Sequence, residues 1–128
     1  MSATATREAE RSAAERWVEA FAEGWRAREG FRPAFELIPD LHATVHSWAA
    51  DGAVVFIEFT LDGTIGGTRV RVPAVDRFIL RDGLVSERVA HFDPVPVLRA
   101  VAASPRAWPK FVRMRASQLT ARLRGGSR

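Results

Sequence analysis

The sequence predicts an α+β fold: a curved antiparallel four-stranded meander, covered by N-terminal helices into a cone-like α+β barrel and followed by a basic C-terminal helix. Three observations carry this expectation. The apolar period is helical as far as Ile38 and becomes two from Leu41 onward. Asp51-Gly52, Gly66-Gly67 and Asp82-Gly83 punctuate the period-two stretch, and such pairs between alternating apolar runs mark hairpin turns. After Leu98 the chain holds seven arginines and Lys110 but no acidic residue.

The elements follow in order. Residues 1–11 read as polar and frayed. Ser12-Ala13-Ala14-Glu15 has capping-box spacing, in which the Ser hydroxyl and the Glu carboxylate satisfy free amides at a helix start. Trp17, Val18, Phe21, Ala22 and Trp25 then form one apolar helical face, opposite Glu19, Glu23 and Arg26, and Gly30 is the expected C-cap. Residues 31–38 form a second, short helix with Pro33 in its first turn, ended by Pro39-Asp40. Strands are expected at 41–49, 53–64, 68–80 and 84–92, with a bulge or sharp bend at Asp62-Gly63. A meander of four strands cannot cover both of its faces, so the two helices must cover one. A curved sheet closed in this way leaves a cone with a mouth. Residues 94–103 form a short helix with Pro94 and Pro96 in its first turn. Ser104-Pro105 restarts a helix that runs to about residue 123, apolar at Trp108, Phe111, Val112, Met114, Leu119 and Leu123. Gly125-Gly126 ends it, and the remainder is expected to be disordered. The division is an α+β domain at 12–103 and a basic helix with tail at 104–128.

Composition narrows the function. The 128 residues include no cysteine, which excludes disulfides, thiolate metal sites and cysteine nucleophiles. No apolar run approaches the ~20 residues needed to span a bilayer. The N-terminus lacks the apolar core of a secretory signal, so a soluble cytoplasmic protein is expected. The net charge of +4 hides an asymmetry: residues 1–30 sum to −1, residues 31–98 to −3 and residues 99–128 to +8.

Several residues are candidates for chemistry. Val54, Phe56, Glu58, Thr60 and Asp62 share one face of the second strand, with Val55, Ile57, Phe59 and Leu61 on the other. If the first face lines the cavity, Glu58 is desolvated and suited to acid–base work; otherwise it pairs with Arg88 or Arg77 on a neighbouring strand. His42, Thr44, His46 and Trp48 share a face of the first strand. The two histidines there lie roughly 13 Å apart, too far for one metal. Asp76 is either a cavity carboxylate or half of a cross-strand ion pair, the pair being favoured by the abundance of arginine. His91 is either a proton carrier or a rim residue, and Asp93 before Pro94 is a natural helix cap as well as a carboxylate at a strand end. There is no nucleophile elbow, phosphate loop or metal signature, and no cofactor is expected. Tyrosine is absent, so Trp, His or Asp would have to stabilise an oxyanion.

The order and spacing of several stretches resemble SnoaL-like proteins of the nuclear transport factor two-like superfamily. These are Ile38-Pro39-Asp40-Leu41, Ser47-Trp48-Ala49, 51–58, 63–67, Val75-Asp76-Arg77-Phe78, Glu87-Arg88 and Phe92-Asp93-Pro94. The resemblance covers residues 12–103. It implies a cone with an apolar cavity, usually dimeric through the sheet, among relatives that include polyketide cyclases, ketosteroid isomerases, epoxide hydrolases and non-catalytic members. It places the acid–base aspartate of the cyclases at Asp93. The polar strand residues of the epoxide hydrolases fall at Glu58 and Thr60, while Ala90 stands where those enzymes have a last-strand Asp. One departure is large. The segment between the first helix and the helix before Pro39-Asp40-Leu41 is shortened, which implies a pocket that is shallower, open on one side or completed by a partner chain.

Three functions follow as expectations. The first is a protein for a small apolar molecule, a cyclase, isomerase or hydrolase, with Glu58 and Asp93 as acid–base pair and Asp76, Arg88 and His91 in support. Trp48, Phe56, Thr60, Phe78 and Phe92 would line its pocket. The second is a non-catalytic binding or dimerisation module, a homodimer through the sheet. The third is contact of residues 104–128 with an anionic membrane or with nucleic acid, against which stands packing of that helix on its own acidic body; the packing is preferred.

Overall fold

The computed structural model describes residues 3–28 and 32–126, with side chains described as far as residue 117. The chain forms α1 (Ala3–Arg26), α2 (Arg32–Leu37), β1 (His42–Asp51), β2 (Val54–Ile65), β3 (Thr68–Arg81), β4 (Leu84–Phe92), α3 (Val95–Ala102), a 3-10 turn at Pro105–Ala107 and α4 (Trp108–Gly126). The four strands form one antiparallel sheet in the order β1-β2-β3-β4, the meander that the turn signals imply. Asp82 and Gly83 both take positive φ, 54° and 76°, which is the geometry a tight hairpin needs and which Asp-Gly tolerates. The expected Gly30 cap, the side chains of Leu119 and Leu123 and the tail after Gly126 lie outside the described residues.

The first helix starts earlier than the capping box suggests. It begins at Ala3 and runs through Ser12. Ala, Glu and Arg dominate that stretch and favour helix, and Arg11 and Glu15 pair at i,i+4. Arg11 also lies over the Trp48 ring at 5.0 Å, which ties this turn to β1.

Inner and outer faces separate along β3. Val70, Val72, Ala74, Asp76, Phe78 and Leu80 are buried, while Arg69, Arg71, Pro73 and Val75 between them are exposed. On β2 the buried row is Val55, Ile57 and Phe59, with Phe56 and Glu58 on the solvent side. The helices press on the inner face and form two apolar clusters. Ala14 and Phe21 of α1 pack with Val55, Ile57, Phe59, Ala74, Phe78 and Leu80. Phe35, Leu37, Ile38, Leu41, Ile65, Val70 and Val72 pack with Ala100, Val101 and Ala107 at the other end. Trp25 and Leu61 touch both clusters. Phe21 stands edge-on to Phe59 and Phe78, with ring centroids 5.1 and 5.7 Å apart.

The bulges are not where the glycine pattern places one. β2 pairs with β3 without a break from Val54 to Ile65, so Asp62-Gly63 carries no bulge between those strands. Gly63 is small for another reason: a Cβ there would overlap Ile38 Cγ2 of the covering segment. The register shifts instead between Val45 and Ser47, and between Ile79 and Leu80 against β4. The extra residue at His46 inverts the alternation of β1, because a one-residue slip moves every following side chain to the other face. Trp48 therefore packs toward the inner cluster and does not share a face with His42 and Thr44. Asp40 fastens the α2–β1 corner to β2, accepting bonds from the Thr64 N–H at 2.8 Å and its hydroxyl at 2.9 Å. These bonds hold its carboxyl below the ordinary value.

Candidate functional site: a buried carboxylate in the cone

A cavity of about 900 Å³ lies inside the cone. Its walls come from α1 (Trp17, Phe21, Trp25), α2 (Phe35), β3 (Val72, Asp76), β4 (Arg88, Ala90, Phe92), α3 (Val97) and α4 (Met114). Most of this lining is apolar, and the pair formed by Asp76 and Arg88 is the strongest polar feature in it.

Asp76 occupies a position that alternation assigns to the core, and it is 1% exposed. β3 pairs it with Ala90 of β4, two residues from Arg88. That offset lets the arginine reach across the inner face. Its Nε and Nη2 donate to Asp76 Oδ2 at 3.1 and 2.6 Å, and its guanidinium lies 5.5 Å from the Phe78 ring centroid. Both bonds land on Oδ2, and among the described residues Oδ1 accepts no hydrogen bond. Burial pushes the Asp76 carboxyl above its ordinary value, against the charge and hydrogen bonds of Arg88 and the charge of His91. An arginine that is half exposed thus neutralises the aspartate incompletely. The result is a carboxylate held in place and short of solvent, its proton affinity raised by burial.

In the same cavity wall, the Trp17 indole N–H is buried with no hydrogen-bond partner among the described residues. Its ring stands edge-on to Phe78 at 5.1 Å. Such an orphaned donor costs about 1–3 kcal/mol.

The other expected site residues gather on the opposite side of the sheet. A shallow pocket of about 380 Å³ is lined there by His46, Glu58, Thr60, Pro73, Val75, His91, Phe92 and Asp93. Glu58 is exposed and does not sit among apolar neighbours inside the cone. Nor does it pair as expected, since Arg88 is bonded to Asp76 and Arg77 to Glu87 at 3.1 Å. His46 Nε2 lies 2.6 Å from the Thr60 hydroxyl, which occupies both groups. Asp93 Oδ1 accepts the Val95 N–H at 3.0 Å, so its carboxylate does tie down the start of α3. Phe78 is core, 1% exposed, and not part of the cavity lining. Phe56 points to solvent at 41% exposure. Trp48 lines neither pocket, whereas Phe92 lines both. No cluster of three potential metal-ligating side chains occurs among the described residues.

The feature that locates the site was present in the sequence. Along β3 a single acid interrupts an otherwise apolar period-two row from Val70 to Leu80. The walls from Val97 and Met114 had no such signal, because their helices reach the cavity only through the tertiary packing.

The sequence model of the SnoaL-like domain family matches residues 13–88. Among solved structures, a candidate SnoaL-like polyketide cyclase from Jannaschia sp. CCS1 is 31% identical over 56% of each chain, with a TM-score of 0.50. AclR from Streptomyces galilaeus, a candidate hydroxylase, shares 23% identity over 56% of this chain and 61% of its own, with a TM-score of 0.52. An LEH-like epoxide hydrolase of M. tuberculosis shares 20% identity over 76% of this chain and 95% of its own, also with a TM-score of 0.52. These last two show the fold alone. The matched region spans little more than half the length of the first two of these relatives. No curated protein matches the chain.

Proposed function

Because the chain belongs to the SnoaL-like domain family, we propose that it binds a small apolar molecule bearing a carbonyl group and performs cyclase-type or isomerase-type proton transfer on it. The observation that carries this is Asp76, a carboxylate 1% exposed in the wall of an apolar cavity, with its pKa raised and one oxygen tied to Arg88. The likeness to the Jannaschia protein supports the same class of substrate.

Asp76 takes a proton from the carbon next to the carbonyl. In an intramolecular ring closure, that carbon then bonds to a second carbonyl carbon of the same molecule. The proton ends on the oxygen of the new alcohol, so product and substrate are isomers and no co-reactant is consumed. Arg88 positions the carboxylate and keeps it from swinging toward solvent. Glu58 and Asp93 have no part in this step, because they line the pocket on the other face of the sheet.

β-Tetralone in D₂O provides the test. Its exchange of the acidic C–H, followed by NMR, is expected to accelerate with the protein and to fall to the uncatalysed rate with Asp76→Asn, while Glu58→Gln leaves it unchanged. Acceleration that survives Asp76→Asn but disappears with Glu58→Gln or Asp93→Asn would overturn the assignment.

A second reading, a non-catalytic binding module that dimerises through the outer face of the sheet, draws support from β4. Its outward row of Glu87, Val89 and His91 runs alongside the exposed apolar residues Val75 of β3 and Phe56 of β2. In that case β-tetralone quenches the fluorescence of Trp17 and Trp25 without proton exchange, and Phe56→Glu converts a dimer into a monomer on size exclusion.

A further inference from the structure

We propose that the outward side of α3 and α4 docks on a phospholipid bilayer with anionic headgroups. The charge comes first. Residues 99–128 hold seven arginines and Lys110 with no acid. Arg113 pairs with Glu36 of α2 at 2.9 Å, whereas Arg99, Arg106 and Lys110 form no ion pair among the described residues.

The second observation is apolar surface in the same place. α4 already buries one side, packing Phe111 and Met114 against the cluster under α2. Trp108 and Val112, one turn apart, remain 51% and 64% exposed. The Trp108 indole N–H donates to the Val101 carbonyl at 2.7 Å, which anchors the ring at the C-terminal end of α3. Leu98, exposed on α3, lies about one turn before that carbonyl, and Val95 continues the exposed apolar strip. Solvated cations interleaved with exposed aliphatic and indole groups suit a headgroup layer: the cations meet phosphates and carboxylates, and the apolar groups enter the acyl boundary. A nucleic acid would engage the cations and leave Leu98 and Val112 in water. No described helix is long and apolar enough to cross a membrane, so the contact is with the surface.

The position is also apt for the cavity. Val97, next to Leu98, and Met114, two residues after Val112, line it from the inside. Helices docked through their outer sides would hold the cone next to the bilayer, where apolar molecules concentrate. The docking does not depend on the chemistry assigned to Asp76.

Co-sedimentation of the full chain with extruded vesicles tests this. Binding is expected to vesicles of phosphatidylcholine containing one quarter phosphatidylserine, and not to phosphatidylcholine alone. Two double variants, Arg106→Glu with Lys110→Glu and Trp108→Ser with Val112→Ser, are each expected to weaken it about tenfold or more. Circular dichroism checks that both variants stay folded. Absence of binding to the anionic vesicles overturns the proposal. So does binding that Trp108→Ser with Val112→Ser leaves unchanged while a mixed-sequence oligonucleotide is retained equally well, since the patch then serves nucleic acid.

Discussion

The two faces of the sheet distribute their charges in opposite ways. The outer face gathers Glu58, His46, His91 and Asp93 around a shallow pocket, each in contact with solvent or satisfied by a neighbour. The inner face carries Asp76 as the one acid in its β3 row, and burial raises the proton affinity of that carboxyl. A collection of titratable groups does not by itself make a reactive site. Water screens and solvates the outer set, whereas removal of water changes what a single carboxylate can do on the inside.

Four measurements break or sharpen this contrast. Phe78→Ala is expected to have the largest effect, a loss of about 3–5 kcal/mol in urea unfolding, against less than about 1 kcal/mol for Phe56→Ala on the outer face. Equal losses would mean that the outer face is buried in solution. Arg88→Ala comes next, with about 2–3 kcal/mol lost because the buried Asp76 then lacks its counter-ion. The same change pushes the Asp76 carboxyl further up, which NMR titration of its side-chain carbon reads directly.

The pH dependence follows from the sign of the Asp76 shift. Its folded pKa lies above the unfolded one, so between the two values the folded state holds the proton that the unfolded state has released. This group therefore lowers stability as pH rises through that window, and its full favourable contribution exists below the unfolded value. Asp76→Asn is expected to abolish that part of the slope in urea midpoints measured across acidic pH. An unchanged slope would show that the carboxyl is solvated. The smallest effects belong to the outer pocket: Glu58→Gln and His91→Ala each change stability by no more than about 0.5 kcal/mol. A larger loss from either would move attention back to that side of the sheet.

Much of the architecture was legible because it rests on local rules. Asp82-Gly83 and Gly66-Gly67 announce their turns through positive φ, and the switch in period marks where helices yield to strands. The capping-box spacing at Ser12 does not start α1, since a cap motif inside a strongly helix-favouring stretch yields to propagation of the helix. The site was legible only in part. The cross-strand ion pair favoured for Asp76 is present, but the abundance of arginine does not name its partner, and in the sequence Arg88 is equally available to Glu58. Strict alternation puts Trp48 on the face of His42 and Thr44, and the bulge at His46 that turns it inward leaves no mark in residue types.

The sequence by itself determined the helices, the four-stranded meander, the absence of thiol chemistry and the concentration of positive charge after Leu98. Period, turn residues and composition encode these, and they act over a few residues at a time. Only the tertiary structure decided which face of the sheet the helices cover. It also decided that Asp76 is enclosed while Glu58 is not, and that Arg88 reaches Asp76. Those outcomes depend on register between strands and on where α1, α2 and α4 press against the sheet. Desolvation is a property of that enclosure and not of any residue read alone.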